Sequence, residues 1–153
     1  MKKLILLSFL IIVGIGWSEV ESVEPYISPG IQIGFNSNKE FFYGFQLSAG
    51  ILHSSTSNII YSPSICFGLK EYPKSTLREG YIDLQMMALP NGSHDGGFPI
   101  GFGIGMNHND EGQSNMRIKC YTWIMFCITL DYDIKSKLSN TSFIPVFPIA
   151  AMM

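Results

Sequence analysis

The chain has 153 residues, 46% of them hydrophobic and only 14% charged, with a formal net charge of −2. That length suits one domain. The apolar content excludes a disordered chain, and the lack of a basic surplus excludes a nucleic-acid binder. Fifteen glycines, eight prolines and 13% aromatic residues suit an all-β protein rich in turns.

The first eighteen residues read as an export signal. Lys2 and Lys3 precede an apolar run from Leu4 to Ile15, and Gly16-Trp17-Ser18 puts small residues at the −3 and −1 positions of a cut before Glu19. Positive start, apolar core and small-x-small site are the three parts of a secretory signal peptide. The run is too short to span a bilayer as a helix, which takes about 20 residues. Residues 1–18 are therefore expected to be removed, leaving residues 19–153 as the folded domain. No cysteine lies near the cut, so no lipid anchor is expected there. No later run is long enough for a membrane helix, so any membrane embedding has to use a β-barrel.

The mature chain alternates in steps of two, the pattern of strands with two unlike faces. The first strand sets Ile27, Pro29, Ile31, Ile33 and Phe35 against Ser28, Gly30, Gln32 and Gly34. The second sets Phe41, Tyr43, Phe45, Leu47, Ala49 and Ile51 against Gly44, Gln46, Ser48 and Gly50. The third sets Ile59, Tyr61, Pro63, Ile65, Phe67 and Leu69 against Ser62, Ser64, Cys66, Gly68 and Lys70. Pro29 and Pro63 each remove a ladder donor, an unusual feature inside a strand. The fourth strand sets Ile82, Leu84 and Met86 against Tyr81, Asp83 and Gln85; the fifth sets Ile100, Phe102, Ile104 and Met106 against Gly101, Gly103 and Gly105. The sixth reads as one long strand from Arg117 to Asp133, and a seventh, from about Ser142 to Ala150, is interrupted by Pro145 and Pro148. Short Asn/Ser/Gly-rich connectors imply an antiparallel up-and-down meander closing into a small β-barrel. Seven strands leave one missing from an even count, to be sought in the long sixth segment or near Val20 to Glu24.

The non-apolar faces identify which side meets water. They are Gly, Ser, Gln and Asn with almost no Lys or Glu, whereas a solvated sheet face carries interspersed charge. Charges gather instead at turns and strand ends, including Lys70, Glu79, Asp131 and Asp133, with Asp83 and Lys119 as exceptions on the inner face. Lipid outside and polar residues inside is the membrane arrangement. Aromatics near strand ends (Phe35, Phe41, Tyr43, Tyr72, Tyr81, Tyr132 and Phe143) suggest an interfacial girdle.

With its signal peptide, the alternation from Ile31 to Ile51 and the ladder Gly101-Gly103-Gly105, the chain resembles the small bacterial outer-membrane β-barrels of about eight strands. The resemblance is one of pattern over nearly the whole mature chain. It implies outer-membrane lipid as surroundings, an extracellular partner met through loops, and a structural, adhesive or protective role without enzyme chemistry. Such barrels usually end in an aromatic residue used in assembly; here the end is Ala150-Ala151-Met152-Met153, with Phe147 the nearest aromatic.

The lumen-facing polar candidates are Gln32, Gln46, Ser48, Asp83, Gln85, Arg117 and Lys119. Asp83 with Arg117 or Lys119 is expected to form an ion pair inside the barrel, because a charge in a narrow lumen needs a partner or water. Gly101-Phe-Gly-Ile-Gly105 lacks the spacing and the following helix of a dinucleotide site. No cofactor is called for. His53, His94 and His108 lack zinc-ligand spacing; His94-Asp95 and His108 with Asp110 and Glu111 read as solvated loop residues. Three cysteines is an odd number, and Cys120 and Cys127 face opposite sides, so no internal disulfide is expected. Two alternatives share the pattern: a soluble secreted barrel or sandwich with the apolar face turned inward around an apolar ligand, and a lipid-modifying enzyme drawing on His53-Ser54-Ser55 or Ser93-His94-Asp95.

Overall fold

The computed structural model describes residues 22–54, 59–90, 99–123, 127–144 and 149–150. The expected signal peptide lies outside the described residues, as do Ser93, His94 and Asp95. The described residues form nine strands: β1 Ser22–Asn36, β2 Phe41–Ser54, β3 Ile59–Tyr72, β4 Leu77–Pro90, β5 Ile100–Asn109, β6 Ser114–Trp123, β7 Cys127–Asp133, β8 Ser139–Ile144 and β9 Ile149–Ala150. All pairings are antiparallel and consecutive, and β1 pairs both with β2 and with β8, so the sheet closes. β9 continues β8 along the same edge of β1: Ile33 faces Phe143 and Ile27 faces Ile149, the same register. The result is an eight-stranded closed barrel in meander order.

The register sets its geometry. Tyr26 pairs with Gly50, Gly50 with Ser64, Ser64 with Gln85, Gln85 with Gly103 and Gly103 with Lys119. Lys119 then pairs with Asp131, Asp131 with Asn140 and Asn140 with Asn36. One circuit thus returns to β1 ten residues further on, at 36 instead of 26. A stagger of that size in eight strands goes with a tilt of about 40° and a lumen just wide enough to be filled by side chains.

The reading of a single sixth strand is corrected: Arg117 to Asp133 is a hairpin, with Trp123 opposite Cys127. Residues directly opposite one another face the same side. A pairing between residues an even number apart therefore preserves parity through the turn, and Ile124-Met125-Phe126 contains no turn-forming residue to mark it. This hairpin supplies the missing strand. The seventh reading is also adjusted. β8 begins at Ser139, earlier than expected, and the segment with Pro145 and Pro148 lies outside the described residues. Pro63 stays within β3, opposite Met86 of β4, while the β2–β3 ladder passes from Gly50–Ser64 to His53–Tyr61 and leaves Pro63 in the gap. Its missing N–H accounts for that gap.

The two faces are sharply unlike. Phe45 is 50% exposed and Gln46 only 5%; Leu69 is 66% exposed and Lys70 only 1%. Ile31, Phe67, Ile82, Phe102, Ile118, Leu130 and Phe143 continue the apolar exterior around the barrel. The apolar face is therefore outside, not inward around a ligand. Phe35, Phe41, Tyr43, Tyr132 and Phe143 are exposed on it, but Tyr72 and Tyr81 are buried in the lumen and leave the expected girdle. Glycine makes room for such rings. A Cβ at Gly68 would fall within the ring of Tyr81, and one at Gly101 within the ring of Tyr121.

At one end of the barrel the four tight turns each hold one residue in the left-handed region: Lys39, Thr76, Gly112 and Lys137. Asn36 Oδ1 accepts from the backbone N–H groups of Asn38 (3.0 Å) and Glu40 (2.9 Å), closing the first. Glu40 Oε1 accepts from the Ser75 N–H at 2.9 Å, tying the β1–β2 turn to the β3–β4 turn.

Candidate functional site

The lumen is filled by charge at its turn end. Lys70 on β3, Glu79, Tyr81 and Asp83 on β4, Arg117 and Lys119 on β6, and Asp131 and Asp133 on β7 all point inward and are buried. Each lies at the same parity as its small inward neighbours, since side chains alternate along a strand. Lys70, Glu79, Asp131 and Asp133, read from the sequence as charges at turns and strand ends, thus belong to the lumen together with Asp83 and Lys119. The signal for them is present in the alternation: Lys70 falls in step with Ser64 and Cys66.

Lys70 Nζ lies 3.0 Å from Asp131 Oδ2 and 3.6 Å from Glu79 Oε1. Arg117 reaches three carboxylates: Asp131 at 3.0 Å, Asp83 at 3.2 Å and Glu79 at 3.8 Å. The Arg117 contacts are ion-pair distances without hydrogen-bond alignment, and Nε, Nη1 and Nη2 have no hydrogen-bond partner among the described residues. Lys119 Nζ lies 3.7 Å from Asp83 and 3.4 Å from Gln46 Oε1. Three cations thus interleave with the carboxylates in a space from which lipid and bulk water are excluded. Removing ions from water is costly, so a cluster of this kind is held by opposite charges and hydrogen-bond donors within reach of the buried ions.

Tyr81 is the hub. Its ring is flanked by Arg117 (4.1 Å from guanidinium carbon to ring centroid), Lys70 (5.4 Å) and Lys119 (5.6 Å). Its hydroxyl donates toward Gln32 Oε1 (3.0 Å) and Gln46 Oε1 (3.2 Å). Gln32 Nε2 in turn donates to Ser142 Oγ at 2.7 Å, and Ser142 contacts Thr129 at 2.5 Å. Asn107 donates to Asp133 at 3.1 Å. Tyr81 and Asn107 fall on the inward faces read from the alternation but were not among the lumen-facing candidates.

Ser48 and Gln85 lie nearer the other end, Ser48 buried and Gln85 half-buried. Gln32, Gln46, Asp83, Arg117 and Lys119 thus meet in one cluster, and Ser48 and Gln85 stand outside it. Cys66 and Cys127 are buried in the lumen as free thiols, and Cys120 is a partly exposed free thiol. His108 Nδ1 contacts Ser114 Oγ at 2.9 Å on the exposed side of the turn end, away from the cluster. Among the described residues no three His, Cys, Asp or Glu side chains come together as a metal site. Three cations pack among four carboxylates, of which Asp133 is held by Asn107 and not by a cation among the described residues.

No family model matches the chain, and no curated protein matches it. A solved structure from work described as "De novo design of transmembrane beta-barrels" is similar to it, with a TM-score of 0.43 and 10% sequence identity, over 81% of this chain and 95% of that one.

Proposed function

We propose that the mature chain is an outer-membrane barrel, exported by residues 1–18, that acts as a closed structural element and not as a pore or an enzyme. The observation that carries this reading is the inverted polarity: an apolar belt outside on β1 to β8, and an ion-paired polar core inside. In water such an exterior is a continuous apolar surface far larger than the few hundred Å² a monomer exposes. In a bilayer it is the surface that needs no partner, because strand closure satisfies the backbone hydrogen bonds internally. Strands of 10 to 15 residues in β1 to β6 suffice at this tilt for an apolar band about 25 Å tall. The Lys70–Asp131 and Arg117–Asp83 contacts span the lumen between β3, β4, β6 and β7, which supports a plugged interior.

Expression in a Gram-negative host followed by fractionation tests the reading. Recovery in the outer membrane, with faster gel mobility unboiled than boiled, is the expected result. Recovery as a soluble periplasmic protein overturns it.

A further inference from the structure

Below the charged cluster the lumen is not filled. A cavity of about 230 Å³ lies in the half of the barrel nearer the chain termini, bounded by Tyr26, Ser28, Ser64, Gln85, Tyr121 and Lys119, among others. At about 30 Å³ per water this is room for several waters or one small solute. Its end next to the cluster is made by Lys119 and Gln46, which belong to the hydrogen-bonded layer there. Leu52 and Met87 line it nearer the strand ends.

We infer that this cavity is a binding site for a small monoanion with oxygen acceptors and a short apolar tail, that is, a short-chain carboxylate. Three observations carry the inference. Lys119 is the one charged residue among the described residues lining the cavity; the carboxylates Glu79, Asp83 and Asp131 lie beyond it, in the plug. Ser28 is 97% buried, being 3% exposed, yet its hydroxyl has no hydrogen-bond partner among the described residues. Gln85 Nε2 is likewise a donor without a partner there. A buried donor left unpaired costs on the order of 1–3 kcal/mol, so an acceptor bound in this cavity within reach of Ser28 or Gln85 removes a standing penalty. The lining thus offers donors, among them the Lys119 ammonium at the end next to the plug, where a carboxylate fits, and apolar side chains at Leu52 and Met87, where an alkyl end fits. Lys119 is a good anchor because its ammonium has only long contacts, 3.4 Å to Gln46 and 3.7 Å to Asp83, and retains donor capacity. The inference goes beyond the membrane reading and does not depend on it, since the cavity belongs to the barrel in any solvent.

The test is saturation-transfer NMR on the folded protein, as it is recovered, with sodium propionate as probe and propionamide as its neutral isostere. Empty micelles and boiled protein are the controls. Propionate is expected to bind the folded protein, with propionamide weaker by at least about tenfold, the worth of one charge-assisted hydrogen bond. Lys119→Met is expected to reduce propionate binding to the level of propionamide. Ser28→Val, which fills the donor position with a methyl group and leaves the ion cluster intact, is expected to weaken both probes. Equal binding of the two probes, or no transfer above the controls at about 50 mM, well beyond typical weak-ligand Kd values, overturns the inference. If Lys119→Met does not fold, the propionate–propionamide difference and the Ser28→Val result decide it alone. A soluble recovery would overturn the membrane reading and leave this assay unchanged.

Discussion

The guanidinium of Arg117 lies on the face of Tyr81, 4.1 Å from the ring centroid, while the same guanidinium reaches Asp83, Asp131 and Glu79. One side chain thus meets β4 three times, at Glu79, Tyr81 and Asp83, and β7 once, at Asp131. It is the single cation in the lumen with three carboxylates within 4 Å among the described residues. Arg and Lys are not interchangeable at such a site, because only the planar guanidinium can stack and span several acceptors together.

Arg117→Ala leaves buried carboxylates without their shared partner. It is expected to cost about 3–5 kcal/mol of stability, the usual consequence of breaking a buried ion pair from one side. Arg117→Lys should recover part of that loss. Tyr81→Phe keeps the stacking and removes the hydrogen bonds to Gln32 and Gln46, so it should cost only about 1–2 kcal/mol. Urea unfolding followed by the unboiled gel shift measures all three. A Tyr81→Phe loss equal to that of Arg117→Ala would contradict the hub role.

Adjacent residues on β2 should respond oppositely to polarity. Phe45→Lys places a cation on the apolar belt and is expected to reduce membrane insertion by about 2–4 kcal/mol near the bilayer midplane, with Ile104→Lys behaving alike. Phe45→Ser should be milder. Gln46→Lys instead adds a fourth cation beside Lys119 and should impair folding itself, in detergent as well as in membranes. Refolding yield into micelles and into vesicles separates the two effects. A harmless Gln46→Lys with a lethal Phe45→Ser would reverse the assignment of faces.

Gly68→Val is expected to cost about 1–3 kcal/mol, the range for overpacking, because its side chain would occupy the space of the Tyr81 ring. Pairing it with Tyr81→Ala should recover part of the loss. A double variant that is as unstable as the sum of the two singles would rule out direct steric conflict.

Thr76 adopts φ 57° in the β3–β4 turn, where a β-branched residue is strained. Thr76→Gly should stabilise the barrel by up to about 1 kcal/mol. Gly112 already occupies the matching place in the β5–β6 turn, and Gly112→Thr should destabilise by a similar amount. Both are read from unfolding midpoints. An unchanged midpoint in both variants would remove the turn strain.

Glu40 is held below the ordinary glutamate range, first by its hydrogen bond with the Ser75 side chain and then by those with Asn36 and the Ser75 backbone. A lowered folded-state pKa means the unfolded chain takes up its proton first. The Glu40 contribution is therefore complete above the ordinary glutamate value and is lost as pH falls through the folded one. Wild type should lose more stability between pH 5 and pH 3, the window around an ordinary carboxyl, than Glu40→Gln. Unfolding midpoints across that range check it; parallel curves would refute it.

Much of the barrel was legible because a strand's side chains alternate by a purely local rule. The faces of Ile31 to Ile51 and of Ile100 to Met106 follow from neighbours two positions away. The hairpin at Trp123 and Cys127 was not legible. Its partners are an even number apart, so the alternation crosses the turn unbroken, and apolar Ile124-Met125-Phe126 gives no turn signal. The lumen candidates were readable as a face but not as a cluster. Nothing local says that Lys70 meets Asp131, 61 positions away, or that Tyr81 stands among three cations.

What the sequence determined by itself is the all-β class, the inside and outside of most strands, and the polar character of the interior, since each depends only on composition and period. The tertiary structure alone decided the count of strands, the ten-residue stagger and the membership of the charged plug. Those depend on closure: only when β1 meets β8 is the register around the ring set. That register decides which inward side chains share a level of the lumen, and therefore which charges neutralise one another and where space is left empty.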